Sequence, residues 1–141
     1  TLTLAAREAD IVGLAPRTLS GQRGDPRSIT WAATEAKIGW VRDAAGDRFD
    51  DLVLNVYPSQ WPITITDDLR GEARKVIARM HERTGQELTE DEVIDSPHVF
   101  IGSVERLVEK FRELRQRLGI SSFMIGGVGE LEAVVERLAG T

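Results

Sequence analysis

Three small groups of residues in this chain have types and spacings that suit ligand chemistry. Asn55 and Tyr57 stand two apart in the apolar run DDLVLNVYP, residues 50–58. Side chains alternate along a strand, so Val53, Asn55 and Tyr57 share one face while Leu52, Leu54 and Val56 share the other. If the second set packs on helices, Asn55 and Tyr57 face a pocket, where a polar group needs cofactor, substrate or another core group as partner. Gly102 and Ser103 follow the apolar run VFI in SPHVFIGSVERLVEKF, residues 96–111. Backbone N–H groups at a helix start can take an anion, but the same pair also makes a tight turn followed by a helix cap. Gly126 and Gly127, with Gly129 close behind, pose the same alternative after the run ISSFMI, and GGVG lacks the full phosphate-loop pattern.

Arg17 directly follows the apolar run ADIVGLAP and could meet the anionic tail of a cofactor; Arg23 and Arg27 lie further along the same loop, where solvent is the simpler partner. His81 and His98 have no ligand-spaced partner and no HExxH pattern surrounds them, so no metal site is expected. With no cysteine there is no thiol nucleophile and no disulfide, which fits a reducing, cytoplasmic setting. No residue is singled out as catalytic.

The elements that must position these residues alternate regularly. Residues 9–16 read as a buried strand, ended by Pro16, and residues 17–28 as an exposed loop rich in Gly and Arg. A helix from about residue 30 to 45 carries Ile38, Val41 and Ala45, with a second apolar set of Ala33, Trp40 and Ala44, and ends at Gly46. The run 50–58 is too continuously apolar for a strand wetted on one side, as expected in a helix-covered parallel sheet. Thr66 is placed to cap a helix whose stripe is Leu69, Ala73, Val76, Ile77 and Met80. Thr89 and Glu92 have capping-box spacing, and Pro97 ends that short helix. Residues 99–101 read as a third strand, residues 104–118 as a strongly amphipathic helix closed by Gly119, 120–127 as a fourth strand and 131–140 as a last helix.

Strands alternating with helices imply right-handed crossovers and a parallel sheet. Two architectures fit: an open doubly wound sheet, or parallel βα units forming about half of a TIM (β/α)8 barrel, whose complete form needs about 250 residues. The chain opens inside an amphipathic helix with no initiator Met, which favours a carboxyl-terminal half-barrel segment of a longer protein, with residues 1–141 forming a single domain. In both architectures ligands gather at the carboxyl ends of the strands. The net charge of −5 argues against a generic nucleic-acid binder, and no apolar run is long enough to span a bilayer.

LAAREADIVGL, residues 4–14, together with LTEDEVIDSPHVFIGSVERLVEKFRELRQRLGISSFMIGG, residues 88–127, resembles the carboxyl-terminal half of the luciferase-like monooxygenase superfamily. KIGWVRDAAGDRFDDLVLNV, residues 37–56, is more similar to the oxidoreductases of that superfamily that use the deazaflavin coenzyme F-420 than to those that use FMN. The resemblance implies a TIM barrel and hydride transfer between an organic small-molecule substrate and a deazaflavin or flavin ring in the barrel mouth. It makes the strand before Gly102 and Ser103 the seventh of the barrel. It also implies that much of the catalytic apparatus comes from a first half-barrel, so this chain is expected to pair with that half or with a copy of itself. The alternative is a non-catalytic half-barrel that serves as a structural or interaction module.

Overall fold

The computed structural model describes residues 2–19, 23–56, 62–124 and 131–139. Tyr57, Gly126, Gly127 and Gly129 lie outside the described residues. The chain begins with α1 (Leu2–Glu8) and β1 (Ile11–Gly13), followed by β2 (Thr18–Leu19) and β3 (Arg23–Gly24), a 3-10 turn (Pro26–Ile29) and α2 (Trp31–Ala45). After a second 3-10 turn (Gly46–Asp51) come β4 (Val53–Val56), β5 (Thr64–Ile65), α3 (Leu69–Thr84) and α4 (Glu90–Asp95). The last elements are β6 (Ile101–Gly102), α5 (Val104–Leu118), β7 (Ile120–Phe123) and α6 (Glu132–Leu138).

The helices end where their capping residues stand. Thr30 accepts from the Ala33 amide at the start of α2, Ser103 from the Arg106 amide at the start of α5, and Thr89 with Glu92 closes a reciprocal capping box on α4. Gly85 and Gly119 take left-handed backbone conformations that terminate α3 and α5. The expected cap of α3 moves by two residues: Asp68 accepts from the Gly71 amide, while Thr66 turns its hydroxyl to the amide of Asp68.

β1, β4 and β7 form a parallel sheet in that spatial order. Val12 and Leu14 of the first segment, Leu54 and Val56 of the second and Ile120 of the third point to one side. There they share a single apolar core with Ala6 of α1, Ile38 and Val41 of α2, Leu107, Phe111 and Leu114 of α5, and Val134 of α6. All four of these helices therefore contribute to the same covered side. That is the arrangement of a singly wound segment, and it departs from a doubly wound sheet, whose helices cover both faces.

One expected element leaves the sheet. The segment 99–102 pairs in parallel with β5, through Thr64↔Ile101 and Ile65↔Gly102, and β4 is hydrogen-bonded directly to β7. The four consecutive barrel strands expected from the sequence are thus three, and β5, α3, α4 and β6, between β4 and α5, build a satellite. Its core holds Ile29, Ala73, Val76, Met80, Val93, Val99 and Ile101. The physical cause is burial from both sides: Ile101 packs with α3 and α4, whereas Phe100 turns the other way and stacks on Phe111 with ring centroids 5.0 Å apart. An apolar run that serves two cores in succession has the pattern of a buried sheet strand without being one. The loop 17–28 likewise contains the β2–β3 ladder and buries Asp25 and Ser28, and Trp40 of α2 faces solvent, 61% exposed, rather than packing.

Candidate functional site

The uncovered side of the sheet carries two rows. Nearer the amino ends of the strands, Ile11 is paired in register with Val53; at the carboxyl ends, Gly13, Asn55 and Ser122 stand in one row across all three strands. Asn55 donates from Nδ2 to Oγ of Ser122 over 2.8 Å. Above Gly13 the face is open among the described residues, since a Cβ placed there would meet none of their heavy atoms within 4 Å. The row combines an apolar base, an open floor and a paired amide and hydroxyl, at the end of a parallel sheet where ligands gather.

A β-bulge builds this row. Leu54 pairs with Ile120, but Asn55 pairs with Ser122, so β7 contains one residue more than β4 over that step. The extra residue puts Ser122 rather than Ser121 opposite Asn55 and turns Ser121 with Phe123 to the helix side. Bulges of this kind re-aim side chains and recur beside active sites. Ser122 is the functional candidate that sequence reasoning missed; a serine pair in ISSF signals a polar residue at the site without saying which one faces it.

The remaining sequence candidates fall in different places. Arg17 lies just past β1, where its Nε and one terminal nitrogen donate to Oδ2 of Asp25 at 2.9 and 2.6 Å. Asp25 is buried and also accepts from the Arg27 amide, while Ser28 accepts from the Arg17 amide. The Arg17 side chain is 72% exposed, so its cation still faces solvent at the carboxyl end of β1. Beneath it, buried Lys37 donates to the carbonyls of Ala15 and Ser28 at 3.0 and 2.8 Å. Burial lowers the Lys37 pKa; the charge of Asp25 opposes the shift and that of Arg17 adds to it. Gly102 and Ser103 belong to the β5–β6 pair and the start of α5, away from the three-stranded sheet. Gly102 adopts φ +136°, a left-handed-side value open to glycine, and an added Cβ would stand 3.0 Å from Cγ of Arg106.

Two lysines within apolar stripes were also missed. Lys37 follows Thr34 and precedes Val41 on the buried face of α2, and Lys110 lies between Leu107 and Leu114 on that of α5. Each occurs at the three- and four-residue spacing of the core positions, which is the signal that separates them from solvated charges. Lys110 Nζ donates to the carbonyls of Ile94 and Val99, each at 2.6 Å. Its pKa is lowered to about 7, chiefly by burial and then by Arg106, against the opposing pull of Asp95 and Glu113.

Chemically, the row has the groups to bind and orient a ligand. The Asn55–Ser122 pair offers hydrogen-bond donors and acceptors, and among the described residues no base is recorded against the Ser122 hydroxyl to activate it as a nucleophile. Among the described residues no group of three or more His, Asp or Glu is placed to hold a metal ion. No helix among them is long and apolar enough to cross a membrane.

No family model matches the chain, and no curated protein matches it. A solved structure that does match is the crystal structure of long-chain alkane monooxygenase (LadA), with a TM-score of 0.51 and 14% sequence identity. The likeness covers 97% of this chain and 38% of that one, so the chain spans well under half the length of the protein it resembles. At that identity the likeness is one of fold: a mixed α/β arrangement with a parallel, helix-covered sheet.

Proposed function

We propose that this chain is the carboxyl-terminal portion of a luciferase-like oxidoreductase whose uncovered sheet face holds the ring of a flavin-type cofactor. The observation that carries the reading is the Gly13, Asn55, Ser122 row at the carboxyl ends of three parallel strands. A flat ring fits it: the open space at Gly13 admits the plane, Ile11 and Val53 supply apolar contact, and Asn55 with Ser122 supplies polar contacts at the edge. The fold shared with a monooxygenase supports the superfamily suggested by residues 4–14 and 88–127; the deazaflavin coenzyme F-420 in place of FMN rests on residues 37–56 alone. When bound, such a ring supplies hydride transfer to or from an organic substrate. The chain's own residues position it: Asn55 and Ser122 orient the edge, and the exposed Arg17 cation stands on the side where an anionic tail would leave the sheet.

Titration with F-420 and with FMN, followed by cofactor fluorescence, tests this. Saturable quenching that is lost in Gly13→Leu supports the reading, because leucine fills the open floor without a backbone penalty. Failure of both cofactors to perturb the protein overturns it.

A second reading is supported by the sheet itself. Among the described residues nothing pairs with the outer edges of β1 and β7, and exposed edges recruit further strands. In that reading the chain is a structural or interaction module that joins a complementary half-barrel or a copy of itself. Light scattering at micromolar concentration decides it: a monodisperse monomer that binds cofactor removes the module reading.

A further inference from the structure

β1 pairs with β4, and its other edge is open among the described residues. The Leu14 N–H donates to the Asn55 carbonyl and the Asp10 carbonyl accepts from the Val53 N–H, so the backbone groups of Asp10, Val12 and Leu14 turn toward β4. Backbone direction alternates along a strand, which points the N–H and C=O of Ile11 and Gly13 out of the sheet edge. Side chains alternate as well: Val12 is buried in the core, while Ile11, 61% exposed, and Gly13 lie on the uncovered face.

This edge is complementary to itself. When a second copy lies antiparallel against it, with a two-fold axis at Val12, Ile11 of each copy stands opposite Gly13 of the other. Ile11 and Gly13 then exchange both of their backbone hydrogen bonds, and the two-fold repeats the exchange. The exposed Ile11 side chain faces the position where an added Cβ would meet no heavy atom of the described residues within 4 Å, a projection opposite a gap. Registers shifted by two residues set Gly13 opposite Gly13, or Ile11 opposite Ile11, and lose this match. Charge does not oppose the pairing. The antiparallel arrangement brings the exposed Asp10, with Arg48 3.4 Å away, to the end where the exposed Arg17 pairs with Asp25, and Arg7 and Glu8 add one charge of each sign.

We infer that this chain forms a symmetric dimer through β1, in which the sheet runs unbroken from β7 of one copy to β7 of the other. The inference rests on the module reading and narrows its partner to a second copy of this chain. The dimer also extends the candidate site. The row Ser122, Asn55, Gly13 of one copy continues into Ile11 of the second copy and the Val53 paired with it, so the second copy supplies an apolar wall beside the open floor.

The chain has no cysteine, so introduced cysteines report the register directly. Ile11→Cys and Gly13→Cys proteins, mixed and mildly oxidised, should cross-link to each other about tenfold faster than either does to itself. The opposed pair has its Cα atoms about 5.5 Å apart, whereas like positions are two residues out of register and beyond the disulfide reach of about 7 Å. Light scattering at micromolar concentration should give a dimer for the wild type. The double variant Ile11→Glu, Gly13→Glu sets like charges directly opposite and should be monomeric, and mixing it with Ile11→Lys, Gly13→Lys should restore the dimer. Both positions are exposed, so circular dichroism should show the wild-type fold; the cysteine pair decides the matter if a charged variant does not fold. A dimer that cross-links without this preference, or that persists in the folded glutamate variant, overturns the inference alone, since the copies would then meet through another surface. A monomeric wild type overturns it together with the second-copy form of the module reading.

Discussion

Asn55 and Ser122 meet across the β4–β7 ladder, Nδ2 to Oγ at 2.8 Å, on the face of the sheet opposite the helix-packed core. The contact joins residues 67 positions apart in sequence, and it exists because a single bulged residue shifts the register of β7. Replacing Ser122 with Ala removes one hydrogen bond between half-buried groups, a change of about 1 kcal/mol in stability. Replacing Asn55 with Leu removes both polar groups' partnership with a ligand edge. Thermal melts should therefore shift little in either variant, while F-420 or FMN affinity falls by about tenfold in each, the value of one lost hydrogen bond to a bound ligand. Unchanged affinity in both variants would show that the row does not hold the ring.

Gly102 and Ser103 separate stability from binding in the opposite sense. Ser103→Ala loses the cap of α5 and should cost about 1 kcal/mol. Gly102→Ala places a Cβ against Arg106 at a φ that side chains rarely adopt, so it should cost at least as much. Urea midpoints should fall in both, with cofactor affinity unchanged, because neither residue lies in the three-stranded sheet. A selective loss of affinity would instead support the pair as an anion site.

Asp25 is expected to be worth more to the fold than Arg17, although they are partners. Arg17 is mostly exposed, so Arg17→Ala should cost no more than about 1 kcal/mol. Asp25→Ala leaves the Arg27 amide without its acceptor and removes the negative charge that favours charged Lys37, and should cost about 1–3 kcal/mol. Denaturant titration of the two single variants measures the difference. If Arg17 also meets an anionic cofactor tail, its variant loses more affinity than stability.

Lys110 gives the chain a pH dependence of definite sign. Its folded pKa is lowered to about 7 while the ordinary value is 10.5, so between those limits the unfolded chain binds more protons than the folded one. Stability from this group therefore rises as pH increases from about 7 to 10.5, and below about 7 the burial of the ammonium acts in full against folding. Lys37, lowered in the same direction, adds to the slope. Lys110→Met leaves the carbonyls of Ile94 and Val99 without this donor but carries no charge into the core. The gap between wild type and variant should widen with pH, with wild type the more stable at pH 9. Urea midpoints at pH 6, 7.5 and 9 check this; a gap independent of pH would contradict it.

Much of the secondary structure was legible in the sequence because it depends on local chemistry. The caps Thr89 and Ser103, the terminating Gly46 and Gly119, and the stripe Leu107, Phe111, Leu114, Leu118 act within one or two helical turns. The facing of Asn55 was legible for the same reason: alternation along β4 puts Leu54 and Val56 in the core and leaves Asn55 on the other side. The segment 99–102 was misread because an apolar run records only that it is buried. It does not record whether one core or two bury it, or which strand it pairs with.

By itself, then, the sequence determined the helices and their ends, the parallel βα pattern and the polar residue at the end of β4. These follow from hydrogen bonds and side-chain periodicity between near neighbours. Only the tertiary structure decided that β7 lies beside β4, that the bulge selects Ser122 for one face and Ser121 for the other, and that Lys37 and Lys110 are drawn inward. Those outcomes are set by competition among distant segments for the same apolar surface and the same backbone partners. In such a contest a one-residue shift in register exchanges the two faces of a strand.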